Sequence, residues 1–251
     1  MAEEQKFPSE IVDLPSEGKL YPKDSPLSSG KIELKYMIAK EEDILTSQNL
    51  IKKGLVIEKL MDSLILTKGI TSDDLVIGDK NAVMVAARIL AYGAEYECEV
   101  INPKTEETFN HTFNLTDCPF KKCPEDVKKN EFEFTLPISK STVTFKILNG
   151  KEENEVENEI NIIKKKVRSN VTPQLTTRLK RVITSVDGET DQFKINQFVD
   201  NMLSKDSIEF RRELSRVSPD IQLSQEVELG GDVVKVDIPL TTDFFWPKTT
   251  T

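Results

Sequence analysis

Glu95-Tyr96-Glu97-Cys98-Glu99-Val100-Ile101 is followed, past Asn102-Pro103, by Thr108-Phe109-Asn110-His111-Thr112-Phe113-Asn114-Leu115. Tyr96, Cys98 and Val100 alternate with glutamates, and Phe109, His111, Phe113 and Leu115 alternate with polar residues. A pleated strand puts every second side chain on one face, so the two runs read as a β-hairpin with one apolar face. Upstream the period is different. Val56, Leu60, Met61, Leu64 and Ile65 recur at three- and four-residue spacing and line one helix face. Val83, Val85, Ala86, Ala87, Ile89 and Leu90 are apolar nearly all round. They predict a buried helix, with Asp79 as its N-cap and Gly93 as its stop. Before these, Ile32, Leu34 and Tyr36 alternate as a short strand.

Downstream, Phe132, Phe134 and Leu136 face Val143, Phe145 and Ile147 across Ser139-Lys140-Ser141, a second hairpin. Cys118-Pro119 to Cys123-Pro124 is a rigid connector between the two. An acid-to-base helix follows over 151–168, with Val156, Ile160, Ile163 and Val167 as its stripe; glutamates lead and lysines trail, as the helix dipole favours. Thr172 then caps a helix with Pro173 at its first position. Leu175, Leu179, Val182, Ile183 and Val186 are its buried face and Gly188 its stop. Ile195, Phe198, Val199 and Met202 make another helix, and Ser204 caps a last one. Val227 and Leu229 before Gly230-Gly231, with Val234, Val236 and Ile238 after it, form a third hairpin. Helices segregated from antiparallel hairpins make the class α+β. The expected organisation is an extended N-terminal arm over 1–30, helices plus two hairpins over 31–150, and helices plus the last hairpin and an aromatic tail over 151–251.

The 251 residues suffice for a real core without disulfide staples. Net charge is −9, and an acidic excess repels phosphate, which argues against nucleic-acid and anionic-membrane partners. The Lys164-Lys165-Lys166-Val167-Arg168 cluster sits directly behind an acidic run and reads as a solvated helix end. No stretch approaches the roughly 20 apolar residues that cross a bilayer, and the polar N-terminus carries no secretory signal. Three cysteines in a chain this long argue against a secreted disulfide framework. The expected setting is a reducing cytoplasm, or a particle assembled there.

The sequence is thinly equipped for catalysis. His111 is the single histidine, and no partner at hydrogen-bonding range is signalled for it. Ser29-Gly30-Lys31 resembles the end of a phosphate loop, but Ser25 replaces its first glycine and Ile32 stands where Ser or Thr belongs. Catalytic residues and cofactors are therefore both predicted as none. A hydrolase acting on the cell wall is disfavoured, since no acid–base pair is signalled. Cys98, His111, Cys118 and Cys123 allow two readings: a small zinc-stabilised binding module, or buried free thiols. The compact Cys-x-x-Cys knuckle is absent.

Two features stand apart. Thr242-Asp243-Phe244-Phe245-Trp246-Pro247 places three adjacent aromatics close to the chain end, where residues are normally polar. They either tuck back onto the chain's own core or insert into a partner. Leu14, Pro15, Tyr21 and Pro22 lie on a proline-rich, pre-extended segment that loses little entropy on docking, again on self or on a partner. The candidate partner-binding residues are thus Leu14, Pro15, Tyr21, Pro22, Phe244, Phe245, Trp246 and Pro247.

Leu14-Pro15-Ser16-Glu17-Gly18-Lys19-Leu20-Tyr21-Pro22 resembles the opening of the T4-type phage baseplate hub subunit and hub-assembly proteins. Met37 with Glu41-Glu42-Asp43-Ile44-Leu45, then Gly78-Asp79-Lys80-Asn81-Ala82, Ala87-Arg88 and Tyr92-Gly93, and the closing Phe244-Phe245-Trp246-Pro247, are similar too. The likeness spans nearly the whole chain. It implies a non-enzymatic structural or chaperone-like role in the central hub of a contractile tail baseplate. The expected partners are other hub proteins and tape-measure proteins, met by apolar docking. Some relatives carry cysteine pairs at hairpin tips. Here the tips are Asn102-Pro103-Lys104-Thr105 and Gly230-Gly231, so no metal knuckle carries over.

Overall fold

The hairpin that opens the sequence argument is β3 (Glu95–Ile101) and β4 (Thr108–Asn114) of a computed structural model, paired Tyr96 to Phe113, Cys98 to His111 and Val100 to Phe109. The structure describes residues 8–102, 105–166, 173–229, 232–240 and 242–245. Ahead of the hairpin come β1 (Ser9–Asp13), β2 (Lys31–Lys35), α1 (Ala39–Thr46), α2 (Gln48–Lys53), α3 (Val56–Leu64) and α4 (Ile77–Tyr92). After it come β5 (Phe120–Lys121), β6 (Phe132–Thr135), β7 (Thr142–Phe145), α5 (Gly150–Lys166) and α6 (Gln174–Val182). The chain continues through β8 (Ile183–Val186), α7 (Gln192–Asp200), α8 (Ser204–Val217), β9 (Asp220–Ile221), β10 (Ser224–Leu229) and β11 (Asp232–Asp237). A 3-10 turn covers Thr242–Phe245. The fold is α+β, with small antiparallel sheets and eight helices among the described residues.

α4 organises the core because none of its residues is exposed. Ala82, Val85 and Ala87 pack with α3 and with both the β3–β4 and β10–β11 hairpins. Val83 packs under β2, against Leu14, Leu34 and Met61. Just before the helix, Val76 joins a second cluster around Val143, Phe145, Leu179, Ile195 and Phe210. This is the physical meaning of its all-round apolar sequence. Full burial of each large side chain contributes roughly 1.5–3 kcal/mol. Buried residues do not divide at position 150: the first cluster joins Leu45–Cys118 to Ile221–Phe245, and the second spans mainly Cys123–Val217. β5 and β9 bridge the two, pairing Phe120 with Ile221.

The N-terminal segment begins extended as β1 and pairs antiparallel with β2. Between them residues 14–30 fold into an arch of turns. Gly18 has φ +78, and a Cβ there would stand 2.4 Å from the Ser28 carbonyl oxygen, so the arch closes only on glycine.

Several expectations are corrected. Val76, not Asp79, occupies the cap position of α4, and Asp79 lies in its first turn. Leu203 caps α8, with Ser204 inside it. Pro173 is the cap of α6; Thr172 lies outside the described residues. α6 ends at Val182, and the β-branched run Ile183–Val186 leaves it to add a third strand beside β7, pairing Val186 with Val143. Gly188, at φ +81, turns the chain after that strand.

Candidate functional site

The arch of residues 14–22 is fastened to the first turn of α4 by one carboxylate. Asp79 is fully buried. Its Oδ1 accepts from the Ser16 backbone N–H at 2.9 Å, and its Oδ2 accepts from Ser16 Oγ at 2.6 Å and Tyr21 OH at 2.6 Å. Both hydroxyls are held so that they must donate, because Tyr21 OH accepts from Val76 N–H (3.1 Å) and Ser16 Oγ accepts from Gly18 N–H (3.2 Å). Burial raises the Asp79 pKa above the usual carboxylate range; the Ser16 and Tyr21 hydrogen bonds oppose that, and nearby Asp220 adds to it. Burial and the Asp79 charge push the Tyr21 phenol up strongly. The neighbours of Asp79 are equally constrained. Gly78 lets α4 touch the Pro219 backbone, where a Cβ would lie 1.8 Å from the carbonyl oxygen. Asn81 Nδ2 donates to Asp220 Oδ1 at 3.0 Å.

A second node forms at the other end of α4. Arg88 is buried, and its guanidinium donates to the carbonyls of Gly93 (3.2 Å) and Glu95 (3.4 Å), joining the end of the helix to β3. It lies over the rings of Tyr92 (4.9 Å) and Tyr96 (5.7 Å). Tyr96 meets Phe244 edge-on at 4.9 Å, and Phe244 meets Phe245 at 5.3 Å. Tyr92 OH reaches Met37 Sδ at 3.6 Å. One step away, Glu41 is buried, accepting from Lys35 Nζ at 2.7 Å and from the Ile38 N–H at 3.1 Å.

Leu14, Pro15, Phe244 and Phe245 are therefore buried in this chain's own core, and docking through them requires that they leave it. Tyr21 is half-buried with its hydroxyl engaged, Pro22 is exposed, and Trp246 and Pro247 lie outside the described residues. The four proposed metal ligands are not brought together. Cys98 and His111 are cross-strand neighbours, but His111 packs edge-on against Phe113 at 4.7 Å. Cys118 Sγ accepts from Gln225, and Cys123 Sγ donates to the Val217 carbonyl in the other cluster. Among the described residues no three His, Cys, Asp or Glu side chains are placed to hold a metal. Burial raises the Cys118 pKa and pushes Cys123 to about 11, which makes them poor nucleophiles. Among the described residues no helix is long and apolar enough to cross a membrane.

Sequence reasoning missed what the polar members of these nodes do. Its sequence context makes Asp79 look like a cap, and no local pattern announces contacts made over 55–63 residues. The available signal was the pairing of a serine–tyrosine segment with an isolated acid in an apolar helix.

No curated protein and no solved structure matches the chain. The family model of the T4 bacteriophage base plate protein matches residues 9–246, a span that contains both nodes and nearly every described residue. The chain belongs to the T4 bacteriophage base plate protein family.

Proposed function

We propose that this base plate protein is a non-enzymatic component of the central hub of a contractile tail, either as a subunit or as a chaperone-like assembly factor. The observation that carries the reading is the use made of the residues that carry the resemblance. Ser16, Tyr21, Gly78, Asp79, Arg88, Tyr92 and Phe244 all serve internal contacts. Residues that carry the resemblance thus specify a shape, and a shape acts through its surfaces. Its partners in this reading are other hub proteins and tape-measure proteins, gripped by apolar contact, while the acidic surface disfavours wrong neighbours.

Mass spectrometry of purified virions beside infected-cell lysate tests the reading. A hub subunit is recovered from both, and an assembly factor from lysate alone in complex with hub proteins. Recovery in neither particle nor hub complex overturns the proposal.

A further inference from the structure

The sheet formed by β1 and β2 has one open edge. Leu14 N–H donates to Gly30 O (2.9 Å) and Tyr36 N–H to Pro8 O (3.0 Å). In the register that pairs Ser9 with Lys35, this alternation turns Glu10 and Val12 towards β2 and the backbone groups of Ser9, Ile11 and Asp13 away from it. The far side of β2 is closed: Leu66 N–H donates to Glu33 O, and Thr67 Oγ1 accepts from Glu33 N–H. The far side of β1 has no backbone partner among the described residues. Beside it lies an apolar groove of about 450 Å³. Ala82, Val85, Ala86 and Ile89 of α4 supply its apolar floor, and Val12, Phe120, Thr116 and Lys122 also line it. No β2 residue lines this groove, so it lies on the open side of β1.

We propose that this groove is a docking slot for one extended segment of a partner protein, added as a strand to β1. Three features fix the occupant. The free donors and acceptors repeat with strand spacing, so they match another strand's backbone. The floor is apolar and built partly from alanine, which suits side chains of valine size at alternate positions. On the outer face Ile11 is 67% exposed at the centre of β1, with Asp13 beside it. A β-branched residue opposite Ile11 complements that face, where Asp13 already pairs with Lys31 at 3.1 Å. Edge strands are normally blunted by charge or proline; β1 carries Glu10 and Asp13, yet Ile11 at its middle stays apolar and exposed. The chain's net charge of −9 disfavours a second copy at the slot and favours a strand with basic ends. The slot deepens the baseplate reading by locating a partner contact, and its test is independent of which particle the protein enters.

The test tethers a Lys-Val-Ile-Val-Lys strand to Met1 of the full chain through a flexible Gly/Ser linker, giving an effective concentration of about millimolar. Amide exchange of Ser9, Ile11 and Asp13 is then followed by NMR. The expected result is slowing by at least about tenfold at these three amides over the untethered chain. The slowing should disappear with a Lys-Val-Pro-Val-Lys strand. Ile11→Pro, which removes an N–H that β2 does not use, should abolish it at Ser9 and Asp13. Ala86→Gln, which raises the floor without touching β1, should do the same should the proline variant fail to fold. Unchanged exchange, or equal slowing by the proline-broken strand, overturns the proposal. So does slowing in the untethered chain that grows with protein concentration, since a second copy would then fill the slot.

Discussion

Asp79 concentrates an unusual amount of structure in one side chain, because three donors from the arch converge on it in the absence of solvent. Asp79→Ala leaves the Ser16 N–H and two hydroxyls without an acceptor. With each orphaned group costing roughly 1–3 kcal/mol, urea unfolding should report a loss of at least about 3 kcal/mol. The pH dependence has a definite sign. Burial raises the folded-state pKa of Asp79 above its unfolded value, so the native state binds the extra proton between the two. Its contribution is fully present below the unfolded pKa and is lost as pH rises through the raised folded pKa. Asp79→Asn abolishes this dependence, so the urea midpoint of the native chain should fall relative to that of the variant as pH rises from acid towards neutral. The thiols give a second check on the same interior. Cys98, Cys118 and Cys123 are buried and Cys123 is pushed to about 11. Iodoacetamide near neutral pH should leave all three unmodified in the folded chain and label all three in urea, as read by intact mass.

Among the elements, α4 owes its position to a residue with no side chain. Gly78→Ala puts a methyl group into the Pro219 backbone, which cannot withdraw as a flexible side chain would. Destabilisation at or beyond the upper end of the roughly 1–3 kcal/mol typical of overpacking is expected in thermal and urea unfolding. The 3-10 turn at Thr242–Phe245 is held by its aromatics: Phe244→Ala and Phe245→Ala should each cost about 3–5 kcal/mol, measured the same way. These elements mark the boundary of what could be read in advance. The hairpins at 95–114, 132–145 and 224–237 and the buried helix α4 were legible, because alternation and all-round apolarity are local patterns. β8 was read as helix because Val182, Ile183 and Val186 satisfy helical spacing as well as a strand's β-branched preference; pairing with β7 decided it. β5 and β9, two residues each, exist only through one another across about a hundred residues, and α1 and α2 carry too little amphipathic pattern to announce themselves. Of the candidate contact residues, the aromatic tail was legible as a cluster that must be covered. That Phe244 would meet Tyr96 beside Arg88 was not, since no spacing encodes it.

For the molecule as a whole, the segments that carry the resemblance are scattered along the chain and meet in space. Residues 14–22 meet 76–79, Tyr92 meets Met37, and Tyr96 meets Phe244. α4 runs between the two meeting points, so the arch of residues 14–22 and the turn at 242–245 are tied to one buried rod that touches two of the core clusters, with Val76 just ahead of it in the third. This architecture fixes the shape of the part through its own internal contacts, as the proposed structural role in a base plate requires. The most direct test is a double-mutant cycle on Tyr21→Phe and Asp79→Ala, read by urea unfolding. Because the phenol donates to the carboxylate at 2.6 Å inside the core, the account predicts a coupling between them of about 1–3 kcal/mol. Stabilities that simply add, with the single variants no less stable than the native chain, would contradict it.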